Sequence, residues 1–309
     1  IEREIKPLYV ADRSGTLWFA SSARALANCA PVDTRRDAAA LTGFYLWGSV
    51  PEPFTWWAGI KMFPAGHVQR ISHGVPLSSP RPFYLIQNAL AAVEPRPLPA
   101  GSLRDILLDS DKHHLVADVP AGVFLSAGVD STVLAVLAAE LGNDLRTVTL
   151  AFDEYAGTAD DEAVLAEETA RILGSEHATV RFSRDQFFET LDDFLQTMDQ
   201  PTIDGLNAYL VSRAAVGQGL KVALSGLGGD ELFGGYPSFR QIPTLVNWGR
   251  RIPFSRPLGR MLQRVAGGWS NAAISPQLIG ALGHSTTTSR AYLLRRALLR
   301  EDELDALLD

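Results

Sequence analysis

Two short segments rich in small residues carry the side chains best suited to chemistry in this sequence. The first, Ser126-Ala127-Gly128-Val129-Asp130-Ser131, lies between two apolar runs, and the second run has the length of a helix. Backbone N–H groups in such a turn approach an anion closely, and the dipole of the following helix favours negative charge. Asp130 beside a phosphate would need a cation such as Mg²⁺ between them. The alternative is an ordinary strand-to-helix turn in which Asp or Ser caps the helix.

The second segment is the glycine-rich stretch LSGLGGDELFGGY at 224–236. Its five glycines leave the backbone open to approach from several sides, and Asp230 and Glu231 lie in its middle. Both segments follow a short apolar run, so we expect both at the same edge of a parallel sheet. Acids on two loops beside a phosphate turn predict a magnesium–nucleotide site rather than a surface loop with incidental acids. Neither segment has the Gly-Lys-Ser/Thr ending of a Walker P-loop.

From residue 102 onward, predicted strands and helices alternate, and these elements must position the two segments. Apolar strand-like runs at 122–126, 147–152, 177–182 and 221–225 are separated by helical patterns at 131–141, 160–173, 184–198 and 206–217, after a first helix at 102–114. Apolar strands alternating with helices predict a doubly wound parallel α/β sheet covered on both faces. Ser102 with Asp105, and Ser183 with Gln186, have the spacing of capping boxes.

The first 72 residues are instead predicted to be β-rich, with a hairpin turn at 12–15 and one helix over 37–48. Residues 73–99 contain six prolines and are predicted to be a linker rather than the interior of an element. We therefore divide the chain into a domain at 1–92, linker included, and a second domain at 93–309.

Composition excludes several classes of protein. The 309 residues are 46% hydrophobic, enough for two cores, and the net charge of −7 without a basic stripe argues against nucleic acid or membrane-surface partners. Cys29 is the single cysteine, so no disulfide forms within the chain; we expect a buried thiol and a cytoplasmic location. No apolar run has the ~18 residues of a membrane span.

The segments DVPAGVFLSAGVDST and LSGLGGDELFGGY closely resemble the paired signatures of the asparagine synthetase family, which are glutamine-dependent amidotransferases of the ATP-pyrophosphatase (PP-loop) type. Upstream, IKPLYV, LWFASSARAL and GIKMFPAGHVQRI resemble the last third of that family's glutamine-hydrolysing domain. The resemblance spans residues 5 to about 240. It implies an adenine nucleotide α-hydrolase-like synthetase domain, preceded by a partial Ntn-hydrolase-type α+β glutaminase domain, in a chain truncated at both ends.

The resemblance also implies a ligase. Such an enzyme adenylates a carboxylate, aspartate or a related acid, and amidates it with ammonia from glutamine, releasing AMP and pyrophosphate. ATP and Mg²⁺ are the implied cofactors, the partners are small-molecule substrates, and a homodimer is allowed. Asp130 and Asp230 would bind Mg²⁺, and Asp230 and Glu231 would be catalytic. The implied ATP-binding residues are Phe124, Leu125, Ser126, Ala127, Gly128, Val129, Asp130, Ser131, Leu150, Ser225 and Gly226.

Several positions depart from the family pattern. Ala127 replaces a glycine in the phosphate turn, Leu227 replaces a frequent acid in the second segment, and Ser22 stands where the first domain often has Glu. The family's N-terminal cysteine nucleophile and its late lysine-containing segment are missing, so we expect binding of Mg-ATP without glutamine hydrolysis. The alternatives are a relative that amidates a sugar acid or closes a β-lactam, and a non-catalytic ATP-binding homologue. A thiolation enzyme is disfavoured because further cysteines are absent.

Overall fold

A computed structural model describes residues 6–74, 77–93, 97, 99, 101–142, 144–251, 287–299 and 304. The chain divides into two compact units. The first comprises the described residues up to 93, Asp199–Ile203 and those from Pro237 onward; the second comprises those from 97 to 198 and Asp204–Tyr236. The sequence placed the residues after Pro237 with the second domain, whereas the structure groups them with the first unit. The division of the chain into domains at 1–92 and 93–309 stays a prediction.

The first unit is built around a small antiparallel sheet. Strands β1 (Tyr9–Arg13) and β2 (Thr16–Ala20) form the predicted hairpin, and β3 (Lys61–Met62) pairs with the other edge of β1. The two-residue loop Ser14-Gly15 has positive φ at both residues, the geometry that matches the twist of the strands. Helix α1 (Ala23–Cys29) packs on this sheet through a core made of Tyr9, Ala11, Ala23, Leu26 and Ile60.

Two further helices and a second, two-stranded sheet complete the N-terminal part. Helix α2 (Ala38–Trp47) begins at the cap Asp37 and ends at Gly48, as predicted, and β4 (His67–Val68) pairs with β5 (Arg81–Pro82). Helix α3 (Ile86–Ala92) follows. The prediction that 73–99 holds no element is therefore wrong, because β5 and α3 lie in it; Pro82 lies in a two-residue strand and the helix is free of proline.

The expected burial of Cys29 is also wrong. Cys29 is the last residue of α1 and its side chain is exposed. A helix on the surface of a small sheet buries only one face, and that face is held by Ala23 and Leu26.

Asp199–Ile203 belongs to the first unit although both flanking segments belong to the second. The Asp199 carboxylate accepts hydrogen bonds from the Ser22 hydroxyl at 2.6 Å and from the backbone N–H groups of Ala23 and Arg24 at 3.0 and 2.8 Å. Ser22 also caps α1 by accepting from the N–H of Ala25. These bonds satisfy donors that a helix N-terminus otherwise leaves unpaired. The structure thus gives Ser22 a local capping contact.

The second unit contains the predicted parallel sheet. Strands β6 (Ala121–Phe124), β7 (Arg146–Phe152), β8 (Glu176–Phe182) and β9 (Val222–Leu224) are all parallel, in the order β8-β7-β6-β9. The chain runs outward from β6 to β8 and then returns to the other side of β6. In open α/β sheets, ligands bind beyond the carboxyl ends of the strands where the order reverses. That point lies here between β6 and β9.

Helices connect these strands and cover them. They are α4 (Ser102–His114), α5 (Val129–Glu140), α6 (Glu162–Leu173), α7 (Arg184–Thr197), α8 (Gly205–Gly217) and α9 (Gly229–Phe233). One core cluster joins Val123 to alanines of α5 and α6, while Phe124 packs against a second cluster that contains Ala214 and Ala215 of α8. Neighbouring strand residues point to opposite faces, so the two clusters lie on either side of the sheet.

One of the two predicted capping boxes is present. Ser183 and Gln186 form both reciprocal hydrogen bonds at the start of α7. The box predicted at Ser102 is wrong, because Gly101 is the N-cap of α4 and Ser102 is already the first helical residue. After the second unit, α10 (Ser238–Arg251) packs against α11 (Thr288–Arg296) through Ile242, Val246 and Ala291. No helix within the described ranges is both long and apolar enough to span a bilayer.

Asp111 on α4 is a buried carboxyl whose loss of hydration is not fully replaced by hydrogen bonds within the described residues. Its side chain is 3% exposed, and its Oδ2 atom has no hydrogen-bond partner among the residues described. Burial raises the pKa of Asp111 from 3.8 to about 6, although the charge of His114 opposes that shift. A carboxyl whose pKa is higher in the folded than in the unfolded chain binds an extra proton on folding.

Asp111→Asn is therefore expected to stabilise the protein selectively above pH 6. The wild type loses stability as pH rises from about 4 to 6, by on the order of 2–3 kcal/mol, whereas asparagine does not titrate. Urea unfolding at pH 4.5 and pH 8 measures the difference. Asp109→Asn, an exposed position on the same helix, is the control. A stability difference between wild type and Asp111→Asn that is the same at both pH values would contradict the assignment.

Candidate functional site

The two segments that the sequence singled out leave the sheet side by side. In the parallel pair of β6 and β9, Ala121 is aligned with Val222 and Val123 with Leu224. The turn at 125–128 and the loop at 225–228 therefore begin at the same level of the carboxyl edge. Their adjacency follows from strand order, since the two strands are far apart in the sequence.

Hydrogen bonds hold the first turn in a defined shape. The N–H of Leu125 donates to the Val148 carbonyl at 3.0 Å, and the Thr149 hydroxyl donates to the Leu125 carbonyl at 2.6 Å. Beyond this anchor, the N–H of Ser126 donates to the Ser131 Oγ at 3.1 Å, and the two serine hydroxyls lie 2.9 Å apart. The turn is thus preorganised by its own side chains and by β7.

The N-terminus of α5 differs from the ordinary capped turn that was the alternative. Its N-cap residue is Gly128, and no side chain caps it. Ser131 instead turns its hydroxyl toward the turn, within 3.1 Å of the Gly128 carbonyl, and Asp130 lies in the first turn of the helix. Backbone N–H groups at an uncapped helix start are suited to an anionic ligand.

Glycines bring the second loop against Asp130. A Cβ atom added to Gly229 would lie 2.3 Å from the Asp130 Oδ2 atom, and one added to Gly226 would lie 3.0 Å from the backbone nitrogen of Ser131. Distances this short mean that a side chain at Gly229 would displace the Asp130 carboxylate. The structure therefore joins the two sequence segments into one surface, with the Asp130 carboxylate at their junction.

The remaining acids lie on α9. Asp230 and Glu231 are in its first turn, and Asp230 packs so closely on Gly235 that a Cβ there would be 1.8 Å from its Oδ1 atom. Glu231 is exposed and accepts a hydrogen bond from the Tyr236 hydroxyl at 3.1 Å. Asp130 and Asp230 thus lie on segments that are in contact, whereas the Glu231 carboxylate is hydrogen-bonded to Tyr236.

This donor set fits a phosphate-bridged magnesium ion. Mg²⁺ is commonly held by one or two carboxylates together with substrate phosphates and water, and two carboxylates from adjoining loops match that pattern. Across the part of the chain that the structure describes, no group of three His, Cys, Asp or Glu residues could hold a metal ion. A metal at this edge would therefore need further oxygens, from a bound phosphate or from water.

The other predicted binding residues surround the same edge. Phe124 is half-buried at the end of β6 and pairs with Val148 of β7. Leu150 follows Val148 by two residues and so lies nearer the carboxyl edge of the sheet. The Ser225 hydroxyl accepts a hydrogen bond from the N–H of Leu227 at 3.3 Å, and this bond helps to shape the second loop. The turn residues Ala127 and Val129 are exposed.

Two residues important to this geometry were missed by sequence reasoning. Thr149 anchors the carbonyl of Leu125 from a fully buried position, and Gly229 provides the contact with Asp130. A signal for Thr149 existed, since it is a hydroxyl inside the apolar run TVTLAF. For Gly229 there was none, because five glycines in one loop look alike in sequence.

Both the N-terminal and the C-terminal part of this sequence are similar to known protein families. Residues 102–306 match the family described as asparagine synthase, and residues 3–82 match the one described as glutamine amidotransferase domain. Glutamine-hydrolyzing asparagine synthetase 1 of Bacillus subtilis (strain 168) is 32% identical over 264 residues, which cover 85% of this chain and 40% of the relative. This family match extends over more than half of the chain.

Two further relatives match shorter stretches. Glutamine-hydrolyzing asparagine synthetase B of Escherichia coli (strain K12) is 34% identical over 157 residues, covering 46% of this chain and 28% of the relative. Amidase chry2 of Gibberella zeae is 31% identical over 154 residues, covering 45% of this chain and 23% of the relative. The chain spans less than half the length of each of these three relatives.

Proposed function

We propose that this chain, which belongs to the asparagine synthase family, is the ATP-binding part of an amidotransferase that activates a carboxylate as its adenylate and converts it to an amide. The observation that supports this most is the contact of Asp130 with Gly229, because it places two acid-bearing segments rich in small residues together at an uncapped helix start. Such an edge is suited to a polyphosphate carried with a divalent cation.

Each predicted residue has a proposed place in ATP binding. The turn at 126–131 holds the β- and γ-phosphates, with backbone N–H groups of α5 and the hydroxyls of Ser126 and Ser131 as donors. Asp130 and Asp230 are the proposed magnesium ligands. The adenosine lies along the strand ends, flanked by residues within or just after three strands, namely Phe124, Leu125, Leu150, Ser225 and Gly226. Glu231 is proposed to lie beside the reacting carboxylate or the metal.

The proposed chemistry has two steps. An oxygen of the acceptor carboxylate attacks the α-phosphorus of ATP, the bond from that phosphorus to the bridging oxygen breaks, and pyrophosphate leaves with the electron pair. Ammonia then attacks the acyl carbon, AMP leaves, and the nitrogen loses a proton to give the amide. The turn acts in the first step because its N–H and O–H donors face the charge that builds on pyrophosphate. Bound Mg²⁺ supplies further neutralisation of that charge.

The wider organisation is proposed by the same reasoning. Residues 93–309 would be a doubly wound, adenine nucleotide α-hydrolase-like synthetase domain, and residues 1–92 part of an Ntn-type glutaminase domain that supplies ammonia from glutamine. The match of residues 3–82 to a glutamine amidotransferase domain supports the second assignment. A cytoplasmic location and a homodimer also stay predictions.

Calorimetric titration of Mg-ATP into the chain tests nucleotide binding. We expect saturable binding that requires Mg²⁺ and that Asp130→Asn weakens by about 100-fold, because both the charge and a metal ligand are lost. Asp144→Asn removes an exposed carboxylate near the amino end of β7 and serves as the control. Binding that is absent in the wild type, or equal in both variants, would refute the proposed site.

A second candidate is ATP binding without catalysis. It is favoured by Leu227, which puts an exposed apolar side chain in the loop where the family resemblance leads one to expect an acid. ATP–pyrophosphate exchange distinguishes the two candidates, since only adenylation of an acid returns label from pyrophosphate to ATP. Mg-ATP binding with no exchange for any acid would favour the second.

A further inference from the structure

We infer that the acceptor at this site is a carboxylic acid with an apolar, uncharged body, and that Leu227 is the residue that sets this preference over aspartate. The inference rests on the proposed function, because it concerns the acid that would be adenylated beside Asp130. Three features of the second unit point to it: exposed aliphatic side chains, an aromatic cluster, and the charge of the strand-end connections.

Exposed aliphatic side chains flank the junction of the two loops. Leu227 is 85% exposed two residues before Gly229, and Val129 is 78% exposed immediately before Asp130. Because Gly229 touches the Asp130 carboxylate, these two apolar side chains belong to adjoining segments of one surface. Apolar side chains left in water next to a polar site are consistent with a surface that meets an apolar ligand.

Aromatic rings lie at the carboxyl end of the neighbouring strand. Phe152 ends β7, which pairs directly with β6, and its ring centroid lies 6.4 Å from that of Tyr155 and 6.1 Å from that of Phe187. The Tyr155 ring is about half exposed. The carboxyl edge of the sheet therefore offers an aromatic face in addition to its aliphatic side chains.

The charges at this edge disfavour a second carboxylate. The connections that follow the four strands, at 125–128, 153–161, 183 and 225–228, contain four acids, all of them at 153–161, and neither lysine nor arginine. Arg184 follows as the first residue of α7, and its guanidinium lies over the Phe188 ring. Arg181, within β8, is already paired with Asp161 at 3.0 Å. Aspartate would bring an additional carboxylate and an ammonium group to this edge. A carboxylate without a cationic partner is costly to desolvate, whereas an apolar body has no such cost.

Binding of probe acids to the full chain tests this inference without requiring turnover. The protein is first saturated with Mg²⁺ and a non-hydrolysable ATP analogue, and hexanoate, phenylacetate or aspartate is then titrated in a calorimeter. We expect at least one apolar acid to bind about tenfold or more tightly than aspartate. Leu227→Ser should weaken binding of the apolar acid by about tenfold, as expected for loss of a leucine contact.

Leu165→Ser is the matched control, because it removes an exposed leucine from α6 on the same unit. Equal or tighter binding of aspartate, no binding of either apolar probe, or equal effects of the two substitutions would each overturn the inference. A chain that takes up no Mg-ATP would instead overturn the proposed function, so the two failures are distinguishable.

Discussion

Gly229→Ala is expected to weaken Mg-ATP binding by between about 10- and 100-fold while the protein stays folded. The new methyl group would lie 2.3 Å from Oδ2 and 2.4 Å from Cγ of Asp130. The Asp130 carboxylate is the mobile end of a side chain, so it moves away rather than displacing backbone. The proposed magnesium ligand Asp130 is then out of place, although neither the Asp130 nor the Asp230 carboxylate has been changed.

Calorimetry with Mg-ATP and thermal unfolding of the same sample measure this result. Gly217→Ala is the matched control, because a Cβ at that position in α8 meets nothing within 4 Å. The control should bind like the wild type, and both variants should unfold within a few degrees of it. If folded Gly229→Ala keeps its full affinity, the position of Asp130 against the second loop is not needed for binding.

Gly66→Ala is expected to destabilise the first unit by about 3–5 kcal/mol. Gly66 has φ of +66°, which strains any other residue, and a Cβ there would lie 2.1 Å from the backbone carbonyl oxygen of Tyr84. Backbone atoms cannot rotate away as a side chain does. The shift would also break the hydrogen bonds that the N–H groups of Phe83 and Tyr84 donate to the Gly66 carbonyl at 2.9 and 3.1 Å.

Gly74→Ala separates backbone strain from the clash. Its φ of +72° is nearly the same, but a Cβ there meets nothing within 4 Å, so we expect a loss of only about 1 kcal/mol. Urea unfolding of the full chain followed by tryptophan fluorescence reports the first unit, which holds Trp18, Trp47, Trp56, Trp57 and Trp248. Equal losses for the two variants would show that the contact with Tyr84 contributes nothing.

Regular elements were the part of the fold that local sequence patterns predicted well. The strand and helix on either side of the turn at 125–128 appear as β6 and α5, and the capping box of α7 forms as its spacing indicated. Such signals depend on side chains within a few residues of each other, so they survive without knowledge of the fold. Helical spacing alone does not decide which side chains of α7 are buried: Phe194 is buried, whereas Phe188 and Leu195 are about half exposed.

Contacts between segments that are distant in the chain could not be predicted from local sequence patterns. The linker prediction over 73–99 failed because proline content describes local backbone preference, not whether tertiary contacts fix a short strand or helix. The assignment of Asp199–Ile203 to the first unit had no signal in its own sequence. It follows from contacts between residues far apart in the chain, such as the hydrogen bonds from the N-terminus of α1 to the Asp199 carboxylate and from the Trp56 N–H to the Gln200 side chain.

By itself the sequence determined which residues are available for chemistry and on which elements they lie. Small residues, acids and the strand–helix alternation placed both candidate loops at strand ends, since these are properties of adjacent residues. Only the tertiary structure decided that Asp130 meets Gly229 and that Leu227 stands exposed next to this junction. The physical reason is that strand order decides which loops are neighbours, and β6 pairs with β9 only once the intervening strands and helices have packed.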